Sequence, residues 1–102
     1  MLIYVDIDET ICDYHVDGPR EYHLADPIRM NIDKINKLFD EGNQIVYYTA
    51  RGSVHKDRIE EYYELTLKQL QTWDAKFHKL IVGEKPAYDL IICVKSKRIE
   101  EI

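Results

Sequence analysis

Two periods of hydrophobic and polar residues alternate along this chain. Leu2-Ile3-Tyr4-Val5, Gln44-Ile45-Val46-Tyr47-Tyr48 and two later stretches, 79–83 and 90–94, are short, apolar and rich in β-branched residues. Such runs read as strands, and the first reads as one buried on both faces, as in a parallel sheet. Between the first two strands the period becomes helical, with apolar residues at Ile28, Ile32, Ile35, Leu38 and Phe39. Asp26 is the expected N-cap of that helix, Pro27 its first position and Gly42 its stop. A second helix is expected from near Asp57, whose spacing to Glu60 fits a capping box, to about Thr72. Its core stripe would be Ile59, Tyr63, Thr66 and Leu70. Strand alternating with helix predicts an α/β three-layer fold around a mainly parallel sheet of about four strands, with right-handed crossovers. Residues 13–26, with Asp17-Gly18-Pro19 at their centre, read as a turn within a small flap or hairpin after the first strand, the one candidate lid.

The length of 102 residues predicts a single domain, 1–102, too small for a catalytic domain with a separate cap domain. A formal charge of −5 disfavours nonspecific binding to nucleic acid or anionic membrane, so no nucleic acid and no membrane partner is expected. The same charge means that a phosphate ligand needs a cation or a local positive patch. No apolar run approaches the roughly 20 residues of a bilayer span, and Asp6 and Asp8 interrupt any secretory signal, which predicts a cytoplasmic protein. Cys12 and Cys93 have neither metal-type spacing nor a disulfide partner pattern, in keeping with a reducing compartment.

The chemistry concentrates where the first strand ends, at Asp6-Ile7-Asp8-Glu9-Thr10. Carboxylates at the end of a buried strand must leave water unless a cation or hydrogen-bond donors compensate. The carboxyl edge of an open α/β sheet is also where ligands bind. A solvated acidic turn is the alternative reading of the cluster.

Three motifs in chain order favour a site. Asp6-x-Asp8-x-Thr10 resembles the first motif of the haloacid dehalogenase-like hydrolases, Thr49 after the second strand the second motif, and Lys85 in Gly83-Glu84-Lys85-Pro86 the third. Asp8-Glu9-Thr10-Ile11-Cys12, Tyr47-Tyr48-Thr49-Ala50-Arg51-Gly52 and Lys85-Pro86-Ala87-Tyr88-Asp89-Leu90 are similar to the small capless branch described as capsule or polysaccharide biosynthesis phosphatases. The resemblance spans nearly the whole chain. It implies a Rossmann-like fold with the spatial strand order fourth, first, second, third and no cap domain. It also implies a Mg2+-dependent phosphatase acting on a small phosphorylated metabolite such as a sugar phosphate.

Under that resemblance Asp6 is the nucleophile, forming an aspartyl-phosphate, and Asp8 protonates the leaving alkoxide and then activates water. Thr49 donates to a phosphoryl oxygen, and Lys85 brings positive charge to the phosphate and keeps Asp6 ionised. Thr10 and Arg51 are candidate substrate contacts, with pairing to a surface acid the other reading of Arg51. The metal would rest on the Asp6 carboxylate and the Asp8 carbonyl. It is expected to bind weakly, because the acids of the fourth motif are replaced by Cys93 and Val94, which are poor ligands for a hard ion. A degenerate member that binds phosphorylated ligands or a partner without turnover is the alternative. Because only a short flap covers the site, a second copy of the chain or a large substrate could complete it. His15 and His23 read as flap surface residues, His55 and His78 as uninvolved, and Tyr62, Tyr63 and Trp73 as helix packing.

Overall fold

The computed structural model of the protein describes residues 1–15, 18, 21–84 and 91–92, the last pair by backbone alone. Lys85, Cys93, Val94 and the polar tail lie outside the described residues. Along the chain the elements are β1 (Leu2–Asp6), β2 (Cys12–Asp13), β3 (Asp26–Pro27), α1 (Arg29–Asp40), β4 (Gln44–Thr49), α2 (Ile59–Thr72), β5 (Lys79–Val82) and β6 (Ile91–Ile92). Short 3-10 turns occupy Tyr22–Leu24 and Lys56–Arg58.

The fold is α/β: a parallel sheet with two helices, compatible with a Rossmann-like arrangement. β1 pairs with β4 from Leu2 opposite Gln44 to Asp6 opposite Tyr48, and β4 pairs with β5 from Val46 opposite Lys79 to Thr49 opposite Val82. The backbone of β6 runs parallel to β1 at Tyr4 and Val5. Since parallel neighbours end on the same edge, the acids closing β1 and the threonine closing β4 share one rim of the sheet.

The core explains the strand sequences. Ile45 to Thr49 are all buried, the near-continuous burial of a strand covered on both faces. In β1 the expected two-sided burial gives way to alternation: Ile3 and Val5 are fully buried, whereas Leu2, Tyr4 and Asp6 are half-buried. Ile32 and Ile35 of α1 and Leu70 of α2 join Ile3, Val5, Ile45 and Tyr47 in one apolar cluster. Each such side chain contributes about 1.5–3 kcal/mol by leaving water.

Both helix starts differ from the sequence expectation. Asp26 and Pro27 do not cap α1; they pair antiparallel with Cys12 and Asp13, and the Ile28 N–H bonds the Ile11 carbonyl at 2.8 Å. A two-residue ladder satisfies backbone groups that a cap would have left to the side chain, and proline, lacking an N–H, is tolerated on such an edge. Asp57 lies in the 3-10 turn before α2, whose N-cap position, Arg58, makes no side-chain cap bond, so no capping box forms. The stop at Gly42 is present: its φ is +98°, and Asn43 and Gly42 donate back to Leu38 and Phe39 in a Schellman motif. On α2, Thr66 and Leu70 face inward but Tyr63 is 39% exposed.

Candidate functional site

A cleft of about 370 Å³ opens at the carboxyl edge of β1 and β4, lined by Asp6, Asp8, Glu9, Thr49, Arg51 and Tyr22 among others. Its floor follows from a turn. After Ile7, which is fully buried, Glu9 takes a φ of +67°, and the N–H groups of Thr10 and Ile11 both bond the Ile7 carbonyl. This reversal brings Asp6, Asp8 and Glu9 to one opening even though strand residues two apart would otherwise simply repeat along one face. It turns Thr10 inward as well. Thr10 is 1% exposed, its hydroxyl has no hydrogen-bond partner among the described residues, and it does not line the cleft. Thr10, the expected substrate contact, thus sits behind the left-handed turn at Glu9, and its carbonyl receives Asn31 Nδ2 at 2.9 Å.

Asp6 and Asp8 occupy different surroundings. The Asp6 carboxylate is half-buried and accepts the Ile7 N–H at 2.8 Å. Asp8 is gripped from the opposite direction. Arg51 Nη2 donates to Oδ1 at 2.8 Å and Nε to Oδ2 at 3.1 Å, a two-pronged ion pair, while Tyr14 donates its hydroxyl to Oδ1 at 2.5 Å. Thr49 Oγ1 adds a longer bond to Oδ2 at 3.4 Å and itself accepts the Arg51 N–H at 3.2 Å. Burial pushes the Asp8 carboxyl up, but the hydrogen bonds and charge of Arg51, followed by Tyr14 and Cys12, outweigh it and hold the group below its usual range. Burial, with Asp8 beside them, pushes the Tyr14 hydroxyl up and the Cys12 thiol up to about 12.

Arg51 lines the cleft and is held by the protein on every side. Its partner is no surface acid, for the residue is 1% exposed. Its five N–H groups also meet protein acceptors: Asp8 twice, the Tyr14 hydroxyl at 3.2 Å, Thr66 Oγ1 at 3.1 Å and Gln69 Oε1 at 2.5 Å. A guanidinium has five donors, so in this arrangement none is left for a phosphate. Its plane is also covered by the Tyr22 ring, 4.8 Å from Cζ to ring centroid. A buried charge of this kind demands a full set of partners, and α2 supplies two of them from within its apolar stripe.

The structure thus brings Asp6, Asp8 and Thr49 together and adds Glu9, Tyr14, Tyr22, Thr66 and Gln69, to which the sequence pattern assigned no place in a site. Their signal was weak: Thr66 and Gln69 are polar residues three apart on the inward side of a helix, a pattern that asks for a buried polar partner. The base of the flap carries the β2–β3 pairing, beside which His15 Nε2 lies 3.0 Å from Asp13 and 3.6 Å from Asp26 at the surface. His78 has a structural task, accepting the Ile45 N–H on Nδ1 at 3.0 Å while stacking on Phe39. Tyr62 packs its edge on Tyr22 and lies so close to Gly52 that a Cβ there would come within 2.7 Å of its ring.

For a hard cation the cleft offers the right donor chemistry, carboxylate and carbonyl oxygen, but few donors. Among the described residues no group of three His, Cys, Asp or Glu side chains converges, and the Asp8 charge is balanced by Arg51. Asp6 would hold such an ion, with water and the ligand's own oxygens completing its shell. No helix of the described residues is long and apolar enough to cross a membrane. Compared with known proteins, the chain matches no family model, no curated protein and no solved structure.

Proposed function

We propose that the protein is a phosphomonoesterase of the haloacid dehalogenase-like type, using Asp6 as nucleophile on a small phosphorylated metabolite. The observation that carries this reading is the meeting of Asp6, Asp8 and Thr49 in one cleft at the carboxyl ends of two adjacent parallel strands. The strand order implied by the resemblance, fourth, first, second, third, belongs to the same proposal, and the pairing of Ile91 and Ile92 beside β1 supports it.

In the first half-reaction an Asp6 oxygen attacks phosphorus, the bond to the leaving oxygen breaks, and an acid supplies that oxygen's proton. In the second, water attacks the aspartyl-phosphate, the bond to Asp6 breaks, and inorganic phosphate leaves. Asp8, an anion in this arrangement, can take the proton of that water only by giving up part of its hold on Arg51. As an acid it is poorly suited while Arg51 grips it, because protonation would forfeit the ion pair. Leaving groups that need little proton assistance are therefore favoured, and alkyl esters require Asp8 to turn out of Arg51's grip. A bound Mg2+ would neutralise charge on the phosphoryl oxygens. Lys85, three residues beyond the Val82 end of β5, is proposed to do the same and to keep Asp6 ionised.

The engagement of Asp8 also favours the second reading, a phosphoryl-ligand binder without turnover. Rates on aryl, acyl and alkyl phosphates with and without Mg2+, beside Asp6→Asn, separate the two. Metal-dependent hydrolysis that vanishes in Asp6→Asn supports the enzyme. Binding of phosphate or of a phosphate ester with no turnover of any of the three ester types supports the binder.

A further inference from the structure

We propose that Gln69 is a positioning residue that ties the flap to Asp8 through Arg51. Two bonds define its place. Its Oε1 accepts Arg51 Nη1 at 2.5 Å and its Nε2 donates to the Tyr22 carbonyl at 2.6 Å. The amide orientation is fixed by its neighbours, since a guanidinium only donates and a carbonyl only accepts. Gln69 is 9% exposed; its bond to Arg51 is buried and its bond to Tyr22 partly so.

The Tyr22 carbonyl anchors the C-terminal limb of the flap. It also accepts the Ala25 N–H at 3.2 Å, closing the 3-10 turn, and the ring of the same residue covers the Arg51 guanidinium. Tyr14, from the other limb of the flap, bonds both Arg51 and Asp8. One planar cation thus receives the flap directly at the Tyr14 hydroxyl and the Tyr22 ring, the Tyr22 backbone through Gln69, and Asp8 on its remaining edge. Because its donors form a rigid fork, it cannot follow one partner without leaving another. When Asp8 turns toward a leaving group, the fork loses two acceptors and its hold on Tyr14 and Tyr22 weakens; when Tyr22 shifts, Gln69 is drawn from the fork and the restraint on Asp8 weakens in turn. Gln69 bonds the cation with one end of its amide and the flap backbone with the other, and it makes the motions one event.

The coupling rests on geometry alone, and only its kinetic consequence rests on the phosphatase reading. The test uses the full chain as parent, Asp8→Asn, Gln69→Met, Gln69→Glu and the double variants. Gln69→Glu keeps an acceptor for Arg51 but has no donor for the Tyr22 carbonyl. Amide hydrogen exchange at Ala25 is expected to quicken about tenfold in Asp8→Asn when Gln69 is present, and less than about twofold when Gln69 is already Met or Glu. No acceleration in Asp8→Asn, or the same acceleration in all backgrounds, overturns the coupling. Should Gln69→Met fail to fold, Gln69→Glu with Asp8→Asn decides between the same two outcomes. With p-nitrophenyl phosphate as probe, Gln69→Glu should lower kcat about fivefold and leave KM within about twofold. A raised KM at unchanged kcat would make Gln69 a substrate contact and overturn the positioning role. If the parent does not turn this probe or other esters over, the phosphatase reading falls by itself, and the exchange experiment still decides the coupling.

Discussion

Asp6 and Asp8 are separated by one residue and by a large difference in surroundings. Asp6 stands half-buried at the sheet rim with a backbone N–H on one oxygen; Asp8 is enclosed by a bidentate guanidinium, a tyrosine hydroxyl and a threonine. Chemically identical groups so placed cannot behave alike. Asp8 holds a buried cation: Arg51 from the loop after β4, Thr49 at the end of β4 and Tyr14 of the flap meet it directly, and α2 acts on it only through Arg51. The wall of the cleft carrying Arg51 is packed and polar, while Asp6 stands at the end of β1 on the cleft's rim.

The sharpest way to break this comparison is to neutralise Asp6. Asp6→Asn should reduce any phosphatase turnover roughly a thousandfold or more while shifting the melting temperature little, because the amide keeps the shape and the bond from Ile7 but not the anion. Initial rates and a thermal melt on the purified variant check both halves, and an undiminished rate removes Asp6 from its role.

The packed wall should answer differently, in stability. Arg51→Met leaves Asp8 buried beside no cation and is expected to cost about 3–5 kcal/mol in urea unfolding. Adding Asp8→Asn should return part of that loss, since the uncompensated charge disappears. Two independent losses would show that the pair is not coupled.

A third contrast is in acid. The Asp8 carboxyl sits below its ordinary 3.8 in the folded protein, so its contribution to stability is complete above that value and is lost as pH falls through the folded value. The melting temperature of Asp8→Asn should accordingly fall less than the parent's between about pH 5 and about pH 2, while lying below it near neutrality. Parallel curves would place the acid sensitivity elsewhere.

The smallest effect concerns Cys12, fully buried behind the same wall with its thiol pushed up to about 12. Alkylation at about pH 8 should be slower in the native protein than in urea by about a hundredfold or more, read by peptide mass. Comparable rates would mean that the wall opens readily.

Several of these features could be read from residue order. The strand runs at 2–5 and 44–48, the helix between them and the helix after the second have hydrophobic periods that hold wherever the chain is placed, and the glycine at 42 stops a helix for reasons local to its backbone. Asp6 and Thr49 could be assigned to one edge because parallel strands end together. The exact helix starts could not, since Asp26 pairs in a ladder with Asp13 instead of capping, a competition settled thirteen residues away. Nor could the burial of Thr10, which depends on a left-handed residue at Glu9 that a sequence does not announce.

Residue order alone therefore dictates the alternation of strand and helix, the parallel sheet it implies, and the gathering of acids at the end of the first strand. What those acids do is settled by folding. Periodicity is a local property and survives without neighbours, whereas the state of a carboxylate is set by the charges and donors within a few ångströms of it. For Asp8 those come from Tyr14, Thr49 and Arg51, and through Arg51 from Thr66 and Gln69, residues up to 61 positions along the chain that only folding brings together.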